Sequence, residues 1–381
     1  MSIPQADPLA SYLELQPEID AAVLRAMASG RYMLGPEVNG FEAEFAQYVN
    51  RTAAIGVASG TDAIILALRA LGVGNNCSVV TVSHTAVATV TAIRSVGATP
   101  VLVDVDPENG LMRVDQVSRL LDNRADRLKL GDIPPVKAVV PVHLYGRMVD
   151  MPALCALSET HGFQIVEDCA QAVGSRLEGR PAGSWGHCGA FSFYPTKNLG
   201  AIGDAGAVVA QDAATIDKVR LLRQYGWVER YSSSIEGMNS RLDEMQAAIL
   251  RIKLSALEAD NLRRREIAAR YRSRLRNCAM LRVPLQDDQP DHSYHQFVVR
   301  SSGRDALRAH LSNQGIGSLI HYPVPVHRQP AYEHLVKAAF DLQETESWAS
   351  QVLSLPIYAQ LELTQVDSVA DAVNAWAAGA A

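Results

Sequence analysis

The sequence has few cysteines and no long apolar run, and both absences exclude large classes of protein. Five cysteines occur in 381 residues, without a Cys-x-x-Cys pair, so the pattern indicates neither a disulfide framework nor a zinc site. No uncharged apolar stretch reaches about 18 residues, and the N-terminal segment lacks the basic start and apolar core of a secretory signal. We therefore expect a cytoplasmic protein with reduced thiols and no membrane span.

An excess of positive charge is also lacking. The formal net charge is −6 and the pI is about 5.9, which argues against a broad nucleic-acid surface. Arginines do cluster at 263–276, but they alternate with Glu266 and apolar residues. This alternation is typical of a solvated helix face or of a contact between subunits. An anionic ligand must therefore be bound locally.

Apolar, β-branched runs alternate with helical patterns through the first two thirds of the chain. The runs are Ala53–Ala58, Cys77–Val82, Thr99–Val105, Val136–Val142, Phe163–Glu167, Ala190–Phe193 and Ala205–Ala210. Such alternation predicts an α/β fold with a mainly parallel sheet covered by helices. A long helical pattern at about 245–276 then leads away from this core. We predict a large domain at 1–250 and a small C-terminal domain at 251–381.

Lys197 is the first residue that indicates chemistry. It follows the aromatic run Phe191–Tyr194 and precedes a glycine-rich turn. A lysine taken alone is ordinarily a solvated surface group. Aromatic and proline neighbours, however, partly remove water from the amine, which lowers its pKa and frees it to attack a carbonyl. The setting therefore favours Schiff-base chemistry.

Asp168 places a carboxylate at the end of a predicted strand. It follows the apolar run that ends at Val166, and open α/β sheets bind ligands at the carboxyl ends of their parallel strands. An aspartate there also suits a helix cap. Paired with Lys197, Asp168 suits a pyridoxal cofactor, because a carboxylate beside the ring nitrogen keeps that nitrogen protonated and electron-withdrawing.

The segment Ala58–Ala63 connects a strand to a helix. Its backbone N–H groups and the hydroxyls of Ser59 and Thr61 suit a small phosphate at the positive end of the helix. This signal is weak by itself, since Ser-Gly-Thr is common at helix starts. The dinucleotide motif G-x-G-x-x-G and the P-loop motif G-x-x-x-x-G-K-[ST] are absent, which disfavours NAD and ATP.

Taken in order, these motifs resemble the DegT/DnrJ/EryC1/StrS family of sugar aminotransferases over essentially the whole chain. The matching segments are LGPEVNGFEAEFA, ASGTDAIILAL, HLYG, EDCAQ, FSFYPTKNLGAIGDAGAV and GMNSRLDEMQAAIL. The resemblance implies a type I, aspartate aminotransferase-like fold, with a mainly parallel sheet in the large domain and a smaller C-terminal α+β domain. It also implies pyridoxal 5′-phosphate as the cofactor, no metal, and a homodimer with shared active sites.

The resemblance assigns roles to individual residues. Lys197 would form the Schiff base with pyridoxal phosphate, Asp168 would pair with the pyridine nitrogen, and Gln171 would lie near the phenolic oxygen. Asn239 would reach the phosphate from the neighbouring subunit. The remaining phosphate contacts would be Ser59, Gly60, Thr61 and Ser192.

One position departs from the family pattern. Where the family has an aromatic residue over the cofactor, in a motif that ends in Ala-Thr, this chain has Ala86. His84 lies two residues earlier, and on an extended segment the two side chains point to the same side. We predict that His84 stacks on the cofactor instead; the alternative is a histidine that is hydrogen-bonded to a loop.

The same resemblance points to the substrates. It implies L-glutamate as the amino donor and a nucleotide-linked keto sugar as the acceptor, with ping-pong kinetics. The segments at 223–231 and 320–332 resemble enzymes that aminate dTDP-3-keto-6-deoxyhexoses at C3, and a UDP-, GDP- or dTDP-linked 4-keto sugar is the alternative. Residues predicted to line the sugar or diphosphate pocket, each with a structural role as the alternative, are Arg223, Tyr225, His321 and Tyr322.

Two other functional classes are alternatives to a sugar aminotransferase. Dehydratases and deoxygenating relatives carry histidine in place of the Schiff-base lysine, so Lys197 argues against that chemistry. A non-catalytic regulator that binds the cofactor is the other class, and the intact set of Lys197, Asp168 and Ser192 argues against it. The predicted product is an amino sugar for glycan, O-antigen or antibiotic biosynthesis.

Overall fold

A computed structural model describes residues 2–123, 130–131, 133–284 and 292–380. Its α-helices are α1 Pro8–Glu14, α2 Gln16–Ala28, α3 Pro36–Tyr48, α4 Gly60–Ala70, α5 Val87–Ser95, α6 Val114–Asp122, α7 Met151–His161, α8 Ala213–Leu222, α9 Glu244–Leu275, α10 Arg304–Asn313, α11 Gln343–Gln351 and α12 Leu363–Ala380. Its strands are β1 Ala53–Val57, β2 Ser78–Val82, β3 Thr99–Val103, β4 Val136–Val139, β5 Gln164–Asp168, β6 Arg176–Leu177, β7 Arg180–Pro181, β8 Cys188–Ser192, β9 Gly206–Ala210, β10 Trp227–Glu229, β11 Ser232–Ser233, β12 Phe297–Arg300, β13 Lys337–Ala338 and β14 Val352–Leu355.

Eight strands form the main sheet in the order β1-β9-β8-β5-β4-β2-β3-β13. Among them β9 alone runs antiparallel to its neighbours β1 and β8, and the other pairings are parallel. The α/β fold class and the mainly parallel sheet are therefore confirmed. Because the parallel strands share a direction, their carboxyl ends lie along one edge of the sheet.

Side chains on the two faces of this sheet enter separate cores. On β1, Ala54 packs into one cluster of buried residues, whereas Ile55 and Val57 pack into another beneath α4, as the two-residue period of a strand requires. The first cluster contains a set of touching rings, in which Phe45 meets Phe191 edge to face with ring centroids 4.9 Å apart. Helices therefore cover both faces.

The helix α4 shows how the sequence sets an element that positions the site. Ser59 caps it, since its Oγ accepts a hydrogen bond from the N–H of Asp62 at 3.1 Å. The helix ends at Ala70, and Gly72 follows with a left-handed φ of 74°, which a glycine adopts without steric cost. The helix N-terminus is thereby fixed at the sheet edge.

The long helix α9 connects the main sheet to the C-terminal part. Leu250 and Leu257 belong to the main core, whereas Ile267 and Tyr271 belong to a separate cluster with β12 and β14. The C-terminal part also returns to the sheet, because Lys337 pairs with Val101 in the β13–β3 ladder. The division at residue 250 stays a prediction.

Two further expectations from the sequence concern the cysteines and a membrane span. All five cysteines are free thiols. Across the described ranges, no helix is both long enough and apolar enough to cross a membrane.

Candidate active site

The carboxyl edge of the sheet brings together residues that are far apart in the sequence. Ser59 follows β1, His84 follows β2, Asp168 ends β5, and Lys197 follows β8. Tyr145 lies beside them, in the short turn that follows β4. The predicted cofactor residues therefore converge because they end or follow strands of one direction.

Asp168 is buried at this edge, and each of its carboxylate oxygens accepts one hydrogen bond. Its Oδ2 accepts from the hydroxyl of Thr89 at 2.8 Å, and its Oδ1 accepts from the N–H of Ala170 at 3.1 Å. Burial raises the pKa of this carboxyl, while the bond from Thr89, the bond from Ala170 and the charge of Lys197 partly oppose the shift. A buried carboxylate of this kind favours a cationic partner.

Lys197 lies close enough to Asp168 for each charge to act on the other. Burial lowers the pKa of the Lys197 amine to about 8, and the Asp168 carboxylate partly opposes that shift. About a tenth of the amine is therefore unprotonated at pH 7, and this is the form that attacks a carbonyl. The pair supplies a nucleophilic amine and a carboxylate in one place.

Gly60, at the start of α4, lies against Ser192, at the end of β8. A Cβ at Gly60 would come within 2.5 Å of the Ser192 Cβ, so this close approach requires glycine. The first N–H groups of a helix, here those of Gly60 and Thr61, have no partner within the helix. These groups and the Ser59, Thr61 and Ser192 hydroxyls form a set of donors suited to a phosphate.

Gln171 connects Tyr145 to Tyr322. Its Oε1 accepts from the Tyr145 N–H at 2.7 Å, and its Nε2 donates to the Tyr322 hydroxyl at 3.0 Å. Burial and the nearby charge of Asp168 raise the pKa of Tyr322 to about 12. Tyr322, which was predicted to touch substrate, therefore lies beside the predicted cofactor residues as a neutral hydroxyl.

Both histidines of the predicted site are neutral and hydrogen-bonded. His84 is buried, its Nε2 lies 2.8 Å from the Tyr145 hydroxyl, and its ring centroid lies 5.6 Å from that of Trp348. Burial lowers the pKa of His84 to about 3, and burial together with the charge of Lys197 lowers that of His321 to about 4. Tyr145 also donates to the His321 carbonyl, so one ring joins both histidines.

Three predicted site residues lie outside this group. Arg223 is buried and pairs with Glu42, and it donates to the Gly56 carbonyl at 2.8 Å. Tyr225 is 38% exposed, with its ring 5.1 Å from that of Trp227. Asn239 is exposed and forms an antiparallel β-bridge with Gln224.

Sequence reasoning assigned no role to two residues that the structure places in the group. Thr89 holds the Asp168 carboxylate, and Tyr145 contacts His84, Gln171 and the His321 carbonyl. Tyr145 adopts a φ of 62°, which is unfavourable for a residue with a Cβ and is common near functional sites. Both residues belong to recognised motifs, but their partners are set by the fold.

These residues fit pyridoxal phosphate by their chemistry. The amine of Lys197 suits the aldehyde, the carboxylate of Asp168 suits a protonated ring nitrogen, and the donors beside Gly60 suit the phosphate. No metal is required by this donor set.

Comparison with known proteins gives a consistent result. The profile of the DegT/DnrJ/EryC1/StrS aminotransferase family matches residues 14–374. The dTDP-3-amino-3,4,6-trideoxy-alpha-D-glucose transaminase of Streptomyces venezuelae is 48% identical over 98% of this chain and 96% of its own length. The UDP-N-acetyl-3-dehydro-alpha-D-glucosamine 3-aminotransferase of Acidithiobacillus ferrooxidans is 39% identical over 98% of this chain and 97% of its own.

A solved structure agrees over the same extent. The crystal structure of S. venezuelae DesV in complex with a ketimine intermediate has 46% sequence identity and a TM-score of 0.93, covering 99% of this chain and 98% of that one. The type I fold and the enzyme class predicted from the motifs are therefore confirmed.

Proposed function

Because this chain belongs to the DegT/DnrJ/EryC1/StrS aminotransferase family, we propose that it transfers an amino group from L-glutamate to C3 of a dTDP-linked 3-keto-6-deoxyhexose. The chain is a pyridoxal-phosphate-dependent aminotransferase that acts on nucleotide sugars. Both relatives described above carry a 3-amino or 3-aminotransferase name, which supports C3 over C4. What we propose beyond this activity is the identity of the acceptor, a dTDP-linked 3-keto-6-deoxyhexose.

One observation carries the mechanism: at the sheet edge, the Lys197 amine and the buried Asp168 carboxylate lie close enough for each charge to act on the other. When bound, pyridoxal phosphate supplies an electron-withdrawing ring that stabilises negative charge on the carbon that loses a proton. The Lys197 amine would act as the base that takes this proton and returns it to a neighbouring carbon. Holding the base and the substrate in one rigid site contributes to the rate of this proton transfer.

The other residues act by orientation and charge. Asp168, held by Thr89, would keep a proton on the ring nitrogen of the bound cofactor. Gln171, fixed between Tyr145 and Tyr322, would help to orient the ring. Ser59, Gly60, Thr61 and Ser192 would hold the phosphate, and His321 and Tyr322 would contact the substrate.

We also propose that a second copy of the chain completes the site. Exposed apolar side chains surround the start of α9: Tyr32 is 56% exposed, Met33 41%, Ile202 50% and Met245 40%. They are contiguous, because Glu244 N–H donates to the Tyr32 carbonyl and Gln246 binds the backbone of Ile202. Such a patch favours burial against another chain. Asn239 is exposed, and the proposal assigns it to the phosphate of the partner's site.

Mixing two inactive variants tests the shared site. Lys197→Ala and Asn239→Ala remove groups that the proposal assigns to different subunits of one site. Random exchange makes half of the dimers hybrids with one intact site, so about a quarter of full activity should return. Recovery that stays at the level of the separate variants would refute a shared site.

The function itself is tested in two steps. Purified protein loaded with pyridoxal phosphate should be yellow and should bleach on addition of L-glutamate, which isolates the first half-reaction. A panel of dTDP-, UDP- and GDP-linked 3-keto and 4-keto sugars then identifies the acceptor, with the amination position read by NMR. Amination at C4 would establish the alternative acceptor, and a protein that binds cofactor without bleaching would indicate a regulator. The cytoplasmic location stays a prediction.

A further inference from the structure

The inner face of α9 carries a stripe of two leucines and four hydrogen-bonding side chains. Its members are three or four residues apart, so they lie on one side of the helix. They are Gln246, Leu250, Lys253, Leu257, Asn261 and Arg264. The two leucines are fully buried in the main core, which fixes the direction in which the polar members point.

The first two polar members bind the backbone that follows Lys197. Gln246 accepts from the Ile202 N–H at 2.9 Å and donates to the Ile202 carbonyl at 2.8 Å. The Lys253 ammonium donates to the Gly200 carbonyl at 2.9 Å. The helix thus holds the glycine-rich turn after Lys197 at two points.

The third polar member reaches the residue next to Lys197. Asn198 donates through Nδ2 to the Asn261 Oδ1 at 2.7 Å and to the Ser293 carbonyl at 2.9 Å, and its Oδ1 lies 3.2 Å from the His295 Nδ1. Since the Ser293 carbonyl only accepts, the orientation of the Asn198 amide is fixed. Its Oδ1 must then accept, so His295 carries its hydrogen on Nδ1.

The contacts of Asn198 with Asn261, Ser293 and His295 add no charge beside the amine. Burial, together with the charges of Lys197, Arg264 and His321, lowers the pKa of His295 well below its usual value, so the ring is neutral. The groups that act on Lys197 are then neutral His295, neutral His321 and the single carboxylate of Asp168. A neutral anchor holds the backbone without favouring a proton on the amine.

We propose that Asn261 is a positioning residue for Lys197: by holding Asn198, it fixes the backbone beside Lys197 and keeps the amine directed into the dehydrated site. The proposal rests on the function proposed above, in which Lys197 is the reactive amine. It assigns to α9 a role in catalysis through its hydrogen bonds, in addition to its role in packing.

The test measures the amine directly in cofactor-free protein. Lys197 is acetylated with acetic anhydride at a series of pH values, and its labelling is quantified by peptide mass spectrometry. Asn261→Ala loosens the backbone, so the amine gains water and its pKa should rise. A rise of about one unit from about 8 lowers the unprotonated fraction at pH 7.5 about eightfold. Asn198→Ala, at a partly exposed position, should give the same shift.

Gln116→Ala is the matched control. Gln116 is a buried amide that accepts from the Asp104 N–H at 2.7 Å, away from Lys197, so its removal should leave the labelling profile unchanged. An unshifted profile in folded Asn198→Ala and Asn261→Ala proteins would overturn the proposal, as would an equal shift in Gln116→Ala. Uptake of pyridoxal phosphate at Lys197 by the wild type separates this failure from failure of the proposed function.

Discussion

Glu167 and Asp168 are consecutive buried carboxylates on β5, and they point to opposite faces of the sheet. Glu167 accepts from the His143 Nε2 at 3.0 Å and from three backbone N–H groups, those of Gly183, Trp185 and Gly186, at 2.9, 2.8 and 2.7 Å. Asp168 accepts from two donors, the Thr89 hydroxyl and the Ala170 N–H. The pKa of Glu167 is lowered, whereas that of Asp168 is raised.

The difference shows that two neighbouring carboxylates of one strand have different roles, one in stability and one in the site. Burial opposes ionisation of both carboxyls, but at Glu167 the bond and charge of His143 and the backbone N–H groups outweigh it. At Asp168 the effect of burial is larger than that of its hydrogen bonds, so the pKa is raised. A further cation beside this carboxylate would therefore stabilise its ionised form. We call the face of the sheet that carries Glu167 the closed face, because the protein itself supplies the partners of that carboxylate. We call the face that carries Asp168 the open face, because a bound cation can add a contact there that the protein does not supply.

Removing the amine on the open face should have the largest effect. Lys197→Ala leaves Asp168 without its cationic neighbour, and we expect transamination to fall by about 10³-fold, since a positioned base is lost together with the covalent attachment. Single-turnover kinetics and the mass of the borohydride-reduced protein measure both losses. Lys137→Ala, at an exposed position, is the control. A cofactor imine that persists in Lys197→Ala would reject the assignment of this lysine.

Exchanging each carboxylate for its amide separates the two faces. Asp168→Asn should lower the rate of transamination by about 10²-fold, because a neutral group no longer holds the ring proton, and should leave stability almost unchanged. Glu167→Gln should lower the free energy of unfolding by about 3 kcal/mol, because the amide replaces a buried carboxylate that accepts from His143 and three backbone N–H groups.

Urea unfolding and steady-state kinetics of the two variants form the crossed comparison. If Glu167→Gln lost activity at full stability, or Asp168→Asn lost stability at full activity, the division between the two faces of β5 would be wrong.

Much of this comparison was accessible from the sequence, and part of it was not. Asp168 and Lys197 were predicted because strand ends of a parallel sheet meet at one edge. The donors of Glu167 were not, because backbone N–H groups at Gly183 and Gly186 leave no residue-type signal. For Arg223 the motif left a substrate contact and a structural role open, and the structure pairs it with Glu42 and the Gly56 carbonyl. Such partners depend on how α3 and β1 pack, which local patterns do not encode.

The stability that Glu167 provides should depend on pH in a definite direction. Its folded-state pKa lies below the ordinary value of 4.5, so the ionised carboxylate stabilises the fold fully above the unfolded-state pKa. That contribution is lost as the pH falls through the folded-state pKa. The difference in unfolding free energy between wild type and Glu167→Gln should therefore be constant from pH 7 to about 5 and shrink at lower pH. A difference that widened on acidification would contradict the lowered pKa.

The smallest expected effect tests what lies over the open face. If His84 stacks on the cofactor in place of the ring missing at Ala86, His84→Ala should weaken cofactor affinity about fivefold, since an aromatic contact contributes about 1 kcal/mol. Adding Ala86→Phe to that variant should restore it. His84 also contacts Tyr145 and Trp348, so a stability loss alone does not distinguish the two roles. Unchanged affinity and an unchanged visible spectrum in His84→Ala would leave His84 only its hydrogen bond to Tyr145, and Ala86→Phe alone would then tighten binding.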